Sequence, residues 1–110
     1  MSLFKKKYRY DMKVAGIIHY QDNIPRSWYH KEDADTYETV NTKLIPEPDN
    51  IHDKNAIKIV AGGIHIGYVP KKLIKEVREI LQQDVRLIDT DFIRMDDKDW
   101  ATTTITYYRR

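Results

Sequence analysis

Residues 48–70 read PDNIHDKNAIKIVAGGIHIGYVP, and we expect the rest of the chain to be organised around this segment. Its first part, residues 49–55, is too rich in turn-forming Asp and Asn to make regular structure. Residues 56–60 predict a β-branched strand, 61–63 a glycine turn, and 64–69 a returning strand that alternates apolar and polar side chains. The sequence therefore predicts a β-hairpin with a polar loop at its entrance, which is a suitable place for a binding site.

The bulk composition describes a small globular protein. A chain of 110 residues with 41% hydrophobic and 33% charged residues forms one domain with a modest core. The absence of cysteine excludes a disulfide framework and a thiolate metal site. Lysines follow Met1 almost at once in place of the apolar segment of a secretory signal, and no apolar run approaches the ~20 residues of a membrane span. We expect a cytoplasmic protein.

The charges are distributed unevenly although the net charge is only +2. Residues 5–13 sum to +4 and residues 71–78 to +3, whereas residues 31–38 and residues 84–99 each sum to −3. Separated basic and acidic regions allow a nearly neutral domain to present a basic face to a polyanion. Charge runs are also ordinary solvated surface, so this feature alone does not decide for nucleic-acid binding.

The N-terminal third predicts one long strand followed by a loop. Residues 8–20 have the composition of an extended strand, in which Gly16 marks a bulge or a bend at a barrel corner. Residues 21–36 are polar and predict a long loop. Trp28 and Tyr29 lie in the middle of this loop, where they either anchor it to the body of the domain or extend a stacking surface.

The rest of the chain predicts three further strands and one helix. Residues 37–45 alternate as a half-exposed strand, Pro70 stands just inside the start of the helix, and residues 85–95 and 100–108 form a second hairpin joined by a turn at 96–99. One apolar stripe defines the helix: Leu73, Ile74, Val77, Ile80 and Leu81. About six strands and one main helix predict a mostly β fold, a small OB-like or SH3-like antiparallel barrel capped by the helix.

Catalysis finds little support in the sequence. Asp49, His52, Asp53 and His65 lie close together, but no standard metal-binding spacing is present. The Asp and Asn side chains are equally explained as turns that hydrogen-bond their own backbone. We therefore predict a protein that is not an enzyme and has neither a metal nor a cofactor. A small metal-dependent nuclease built on Asp49, His52 and Asp53 is the third of the functions considered.

Binding of single-stranded nucleic acid is better supported. It requires flat side chains for base stacking and cations along the backbone. The chain has eight tyrosines, two tryptophans and four histidines, and several stand beside cations, as in Tyr8-Arg9-Tyr10. This interleaving on a small barrel favours a nucleic-acid-binding module.

Three blocks of sequence resemble the HIRAN domain and occur in the same order. They are residues 14–20 (VAGIIHY), residues 47–57 (EPDNIHDKNAI) and residues 66–70 (IGYVP). The resemblance covers most of residues 13–81 and implies an OB-like barrel. It identifies residues 1–110 as a single, stand-alone HIRAN-like domain with a core at about 13–108.

The resemblance also implies a non-catalytic accessory of DNA repair or replication that binds single-stranded DNA, especially its free 3′ end. By position, His19 and His52 are placed against the terminal nucleotides, and Asn50 reads a base edge or braces the loop. Asp53 is placed to accept a hydrogen bond from the 3′-hydroxyl, and Tyr68 and Lys71 to touch the terminal phosphates. The predicted DNA-binding residues are His19, Tyr20, Asn50, His52, Asp53, Tyr68, Lys71 and Lys72.

Three positions depart from the pattern of the resemblance. Ile51 replaces a common proline, His19 offers a smaller stacking face than tyrosine, and Ile18 stands where a cation can occur. These departures bear on affinity for DNA more than on fold. The alternative function is therefore a protein-interaction domain that docks onto a nuclease or helicase partner without binding DNA itself.

Overall fold

A computed structural model describes residues 5–110. The strands are β1 (Lys7–Lys13), β2 (Tyr29–Lys31), β3 (Val40–Pro46), β4 (Ile57–Ala61), β5 (Ile64–Tyr68), β6 (Asp84–Met95) and β7 (Lys98–Tyr108), and the α-helix is α1 (Ile74–Leu81). Short 3₁₀ turns lie at Ile17–His19, Gln21–Asn23, Arg26–Trp28 and Lys71–Leu73. Across these residues no helix has the length and apolar character that a bilayer crossing requires.

The strands form one sheet in the order β1-β7-β6-β3-β4-β5. β6 is the central strand, because β7 pairs with it along its length while β3 and β2 share its other side. β2 runs parallel to β6, and the ladders between the other neighbours are antiparallel. The predicted class, a mostly antiparallel β protein with one main helix, is confirmed. The strand count is seven rather than about six, because β2 is too short to show an alternating pattern.

The predicted barrel is not confirmed, because the sheet is not closed. β1 and β5 stand at the two ends of the strand order, and no ladder joins them within residues 5–110. An isolated antiparallel pair links Ala15, just after β1, to Tyr68 at the end of β5. The N–H of Ala15 donates to the Tyr68 carbonyl at 2.8 Å, and the N–H of Tyr68 donates to the Ala15 carbonyl at 2.9 Å. The architecture is thus an open sheet whose outer segments meet at this residue pair.

The first predicted strand is wrong beyond its first half. β1 ends at Lys13, and Gly16 then adopts a positive φ of 76°. Because this conformation breaks extended geometry, the chain leaves the sheet into the 3₁₀ turns at Ile17–His19 and Gln21–Asn23. Gly16 does mark a bend, as predicted, but the bend ends the strand.

The predicted loop at residues 21–36 contains two 3₁₀ turns and β2. The rings of Trp28 and Tyr29 lie 5.4 Å and 5.5 Å from the ring of Phe92, which is fully buried. Trp28 also covers Gly62, where an added Cβ would come within 2.7 Å of the indole. These two aromatic residues therefore anchor the loop to the body of the domain.

The helix and the second hairpin agree with the sequence except at their ends. The apolar stripe of α1 is confirmed, with Ile74, Val77 and Ile80 buried in the core. Pro70 precedes a 3₁₀ turn, so α1 begins one turn later than predicted. The turn between β6 and β7 shortens to Asp96 and Asp97, both with positive φ, because β7 already starts at Lys98.

Three buried threonines connect the central strands through their hydroxyls. Thr42 on β3 donates to the Val40 carbonyl at 2.8 Å, so its oxygen accepts the proton of Thr90 on β6 at 2.7 Å. Thr90 in turn accepts from Thr103 on β7 at 2.8 Å. Every hydroxyl of this threonine chain is hydrogen-bonded, which removes the cost of burying it.

Gly67 on β5 is predicted to be intolerant of a side chain. A Cβ there would lie 2.5 Å from both the Ala15 carbonyl oxygen and Val14 Cγ1, and its φ is 152°. We expect Gly67→Ala to lower the free energy of unfolding by about 2–4 kcal/mol, measured by urea denaturation. Gly63→Ala is the matched control, since it also has a positive φ but nothing within 4 Å, and about 1 kcal/mol is expected. Equal losses would contradict the close approach at Gly67.

Candidate nucleic-acid interface

The polar loop of residues 47–55, between β3 and β4, is organised by Asn50. Its Oδ1 accepts the backbone N–H groups of His52 at 2.9 Å and Asp53 at 3.0 Å. Its Nδ2 donates to Glu47 Oε1 at 3.0 Å. Because both ends of the amide are engaged within the loop, Asn50 braces the loop, which is the second of the two roles considered for it.

Glu47 connects this loop to the hairpin. Its Oε1 accepts the Asn50 amide and also the Tyr68 hydroxyl, the latter at 2.8 Å, and Lys58 Nζ lies 3.9 Å from its Oε2. The hydrogen bonds from Asn50 and then Tyr68 hold the pKa of Glu47 below its ordinary value. Burial, reinforced by the bond to Glu47, raises the pKa of the Tyr68 hydroxyl. The site therefore contains an ionised carboxylate and a neutral tyrosine at pH 7.

An aromatic cluster lies behind the loop. The ring of Tyr20 is 4.3 Å from that of His65 and 6.3 Å from that of Tyr68. Burial lowers the pKa of His65, and its Nε2 lies 3.0 Å from the Gly67 carbonyl, to which a neutral ring donates. Two residues of the predicted set, Tyr20 and Tyr68, thus lie together, with part of each ring used for packing.

A cleft of about 530 Å³ opens between the loop and the sheet. Asn50, His52 and Tyr68 of the predicted set line this cleft, together with Glu47 and Lys58. The His52 side chain is exposed, whereas Asn50 and Tyr68 are partly buried. The cleft therefore combines one available flat ring with a hydrogen-bonded frame.

A second hollow of about 340 Å³, called here the α1 groove, lies on the other side of the loop. Its lining residues are Asp53, Asn55, Lys71, Ile74, Lys75 and Arg78. Asp53 Oδ1 accepts the Asn55 N–H at 2.9 Å, and Arg78 Nη2 donates to the Asn55 carbonyl at 3.3 Å. One carboxylate thus shares a groove with three cations.

The structure divides the predicted residues among several places. Three line the cleft, Asp53 and Lys71 line the α1 groove, and Tyr20 packs against Tyr68. His19 is exposed on its 3₁₀ turn and Lys72 is exposed ahead of α1, and each lies outside both the cleft and the groove.

Four residues of the site were absent from the predicted set. Glu47 is the first residue of the second block of resemblance, and Lys58 is a polar position of the alternating strand β4. Lys75 and Arg78 follow Lys71 at spacings of four and seven residues, which places them on one face of a helix. Helical periodicity of charge would therefore have identified these two cations.

Residues 5–110 form no cluster of metal ligands that would support the metal-dependent nuclease. In the part of the chain that the structure describes, residues 5–110, no group of three or more His, Cys, Asp or Glu side chains is placed to hold a metal ion. Asp49 and His52 line the cleft, while Asp53 lines the α1 groove. The three proposed ligands therefore face two different hollows.

Replacing Glu47 with Gln is expected to weaken the loop in a pH-dependent way. The variant keeps the size of the side chain but removes its charge, so we expect a loss of about 1 kcal/mol in unfolding free energy at pH 7. Because the folded-state pKa of Glu47 is lowered, its contribution is present above the ordinary value of 4.5 and is lost as pH falls through the folded pKa.

The measurement is chemical denaturation of both proteins at pH 7 and at pH values below 4.5, where the difference should shrink as Glu47 becomes protonated. Glu38→Gln, at an exposed position, is the control. If the difference in unfolding free energy between the two proteins persists at acid pH, it comes from the shape of the side chain and not from its charge.

One family model matches the sequence of this chain. The model of the family described as "HIRAN domain" matches residues 8–108. No curated protein and no solved structure matches the chain. All three blocks of resemblance lie inside the matched residues, where they form the segment after β1, the polar loop and the end of β5. The chain belongs to the HIRAN domain family.

Proposed function

We propose that this domain binds single-stranded DNA and receives the 3′-terminal nucleotide at the loop of residues 47–55. Membership of the HIRAN family supports the first half, because this family is one of single-stranded-DNA-binding modules. The position of Asp53, a carboxylate set among the cations of the α1 groove, carries the second half.

Asp53 supplies the chemistry that distinguishes the ends of a strand. One of its oxygens holds the Asn55 N–H, and the remaining lone pairs of the carboxylate accept the proton of a 3′-hydroxyl. A hydrogen bond to a charged group contributes about 1.5–3 kcal/mol. A 3′-phosphate has no such proton at its ester oxygen and brings like charge close to the carboxylate. Asp53 therefore selects the hydroxyl end.

The cleft that His52 lines, across the loop from Asp53, is suited to the terminal base. Its volume of about 530 Å³ lies within the range of small-molecule sites. The exposed His52 ring provides a stacking face, which is worth about 1–3 kcal/mol per base. Glu47 and Asn50 hold the cleft in shape, and His19, exposed on its turn, is a second group for stacking. The terminal nucleotide thus places its base in the cleft and its 3′ oxygen at Asp53.

Lys71 and Lys72 supply affinity that does not depend on sequence. Both are exposed, and Lys71 lies in the same groove as Asp53. Contacts between lysines and phosphates release counterions, so binding weakens as salt rises. In this role the domain is an accessory of DNA repair or replication that binds the strand and performs no chemistry on it.

Asp53→Asn is expected to abolish or reverse the preference for a 3′-hydroxyl. The amide keeps an oxygen for the Asn55 N–H but loses the charge that repels a phosphate. The three cations of the groove would then attract a 3′-phosphate. Fluorescence anisotropy with two labelled oligonucleotides, one ending in each group, measures the ratio of dissociation constants. For the wild type we expect the oligonucleotide with a 3′-hydroxyl to bind roughly tenfold or more tightly than the one with a 3′-phosphate. For Asp53→Asn we expect this preference to fall to one or below.

Asp35→Asn removes the same charge at an exposed position between β2 and β3 and should keep the wild-type ratio. If the wild type binds both oligonucleotides equally, recognition of the 3′ end is wrong. If neither oligonucleotide binds at low salt, binding of single-stranded DNA by this domain is wrong as well.

Two exposed apolar side chains favour the protein-interaction alternative. Ile51 is 91% exposed at the edge of the cleft, and Ile18 is 68% exposed on the 3₁₀ turn. Exposed apolar surface is typical of sites that dock onto another protein where it forms a contiguous patch, and these two side chains line two different hollows. A nuclease or helicase partner is the candidate ligand in the case where both oligonucleotides fail to bind.

A further inference from the structure

We infer that the α1 groove is the path of the DNA backbone beyond the terminal nucleotide, and that Lys75 and Arg78 bind its phosphates. This inference rests on the proposed function and deepens it. The sequence pointed to Lys71 and Lys72 for this role, but Lys72 lies outside the groove while Lys75 and Arg78 line it. The lining of the groove thus adds two cations to those that the sequence singled out.

The three cations form a row along the helix. Lys71 precedes α1. Lys75 follows Lys71 by four residues, and Arg78 follows Lys75 by three. Within α1, a spacing of three residues places Lys75 and Arg78 about 4.5 Å apart along the axis, and Lys71 lies in the 3₁₀ turn that leads into the helix. This repeat is of the same order as the distance between neighbouring phosphates of an extended strand. A row of separate cations fits a chain of phosphates better than a single anion.

The groove has a net positive charge that nearby acids do not cancel. Three cations and one carboxylate give a formal charge of +2 for its lining. The acidic residues of α1, Glu76 and Glu79, line a different hollow together with Arg109. Because one edge of the helix is basic and the other is acidic, a polyanion is directed to the edge that faces Asp53.

The cations of the groove are available to a ligand. Lys75 and Arg78 are exposed, and Lys75 donates no hydrogen bond to a protein group among residues 5–110. Arg78 uses one nitrogen for the Asn55 carbonyl, and the other N–H groups of its guanidinium remain for a phosphate. Arg78 therefore joins the loop that holds Asp53 to the proposed path of the backbone.

The decisive experiment is a salt titration of binding with the variant Lys75→Gln/Arg78→Gln. Anisotropy is measured with a labelled oligonucleotide of about twelve nucleotides that ends in a 3′-hydroxyl. Each phosphate contact contributes about 0.7 to the slope of log K against log salt on single strands, so the slope should fall by about 1.4. The preference for a 3′-hydroxyl over a 3′-phosphate should persist. Lys75→Gln alone, which breaks no bond to the loop, should lower the slope by about 0.7.

Lys31→Gln/Arg94→Gln is the matched control. These two cations are exposed and lie opposite each other on β2 and β6, outside the groove. The control removes the same charge and should keep the wild-type slope. An equal loss of slope in both double variants would assign the effect to net charge and overturn the inference. Thermal unfolding of each variant establishes that the fold is intact.

The outcomes separate this inference from the proposed function. If the wild type prefers the hydroxyl end but Lys75→Gln keeps the full salt slope, the backbone path is wrong and end recognition stands. If the slope falls as expected in a protein without end preference, the groove is a backbone site and end recognition is wrong. If the wild type does not bind single-stranded DNA, both are wrong.

Discussion

The close approach of two backbone segments at Gly67 is the constraint on which the site depends. Val14 and Ala15 occupy the space that a side chain at this position would fill, and two hydrogen bonds then join Ala15 to Tyr68. This contact brings the segment after β1 against the hairpin, where Tyr20 packs on the Tyr68 ring. Without it, the segment after β1 and the end of β5 would lie at the two separate edges of an open sheet.

The loop of residues 47–55 separates two environments of different chemistry. His52 and Asp53 are neighbours in the chain, yet His52 lines the cleft and Asp53 lines a groove with three cations. Glu47 makes this separation rigid, because its carboxylate binds both the loop and the hairpin. The two hollows also differ in formal charge, because Glu47, Asp49 and Lys58 line the cleft whereas Asp53 and three cations line the α1 groove.

The sequence predicts those parts of the fold that carry their own periodicity or turn chemistry. The hairpin β4–β5, the helix α1 and the hairpin β6–β7 were predicted for this reason. The end of β1 was not, because Ile17 and Ile18 have strand composition and only the positive φ of Gly16 excludes them. Closure of a sheet depends on pairing between distant strands, which no local pattern encodes. The site residues were found through the resemblance, but their division between two hollows depends on the folded loop.

The threonine chain across β3, β6 and β7 has a direction. The Val40 carbonyl at its end can only accept a hydrogen bond. Each hydroxyl therefore donates in the same direction, Thr103 to Thr90, Thr90 to Thr42, and Thr42 to Val40. A shift of β3 by one residue would turn Thr42 to the opposite face and leave a buried proton without an acceptor. Contacts between apolar side chains are compatible with several strand registers, but this directional chain of hydrogen bonds is compatible with only one register. Since β3 leads directly into residues 47–55, the register that these three hydroxyls select also sets the position at which the polar loop begins.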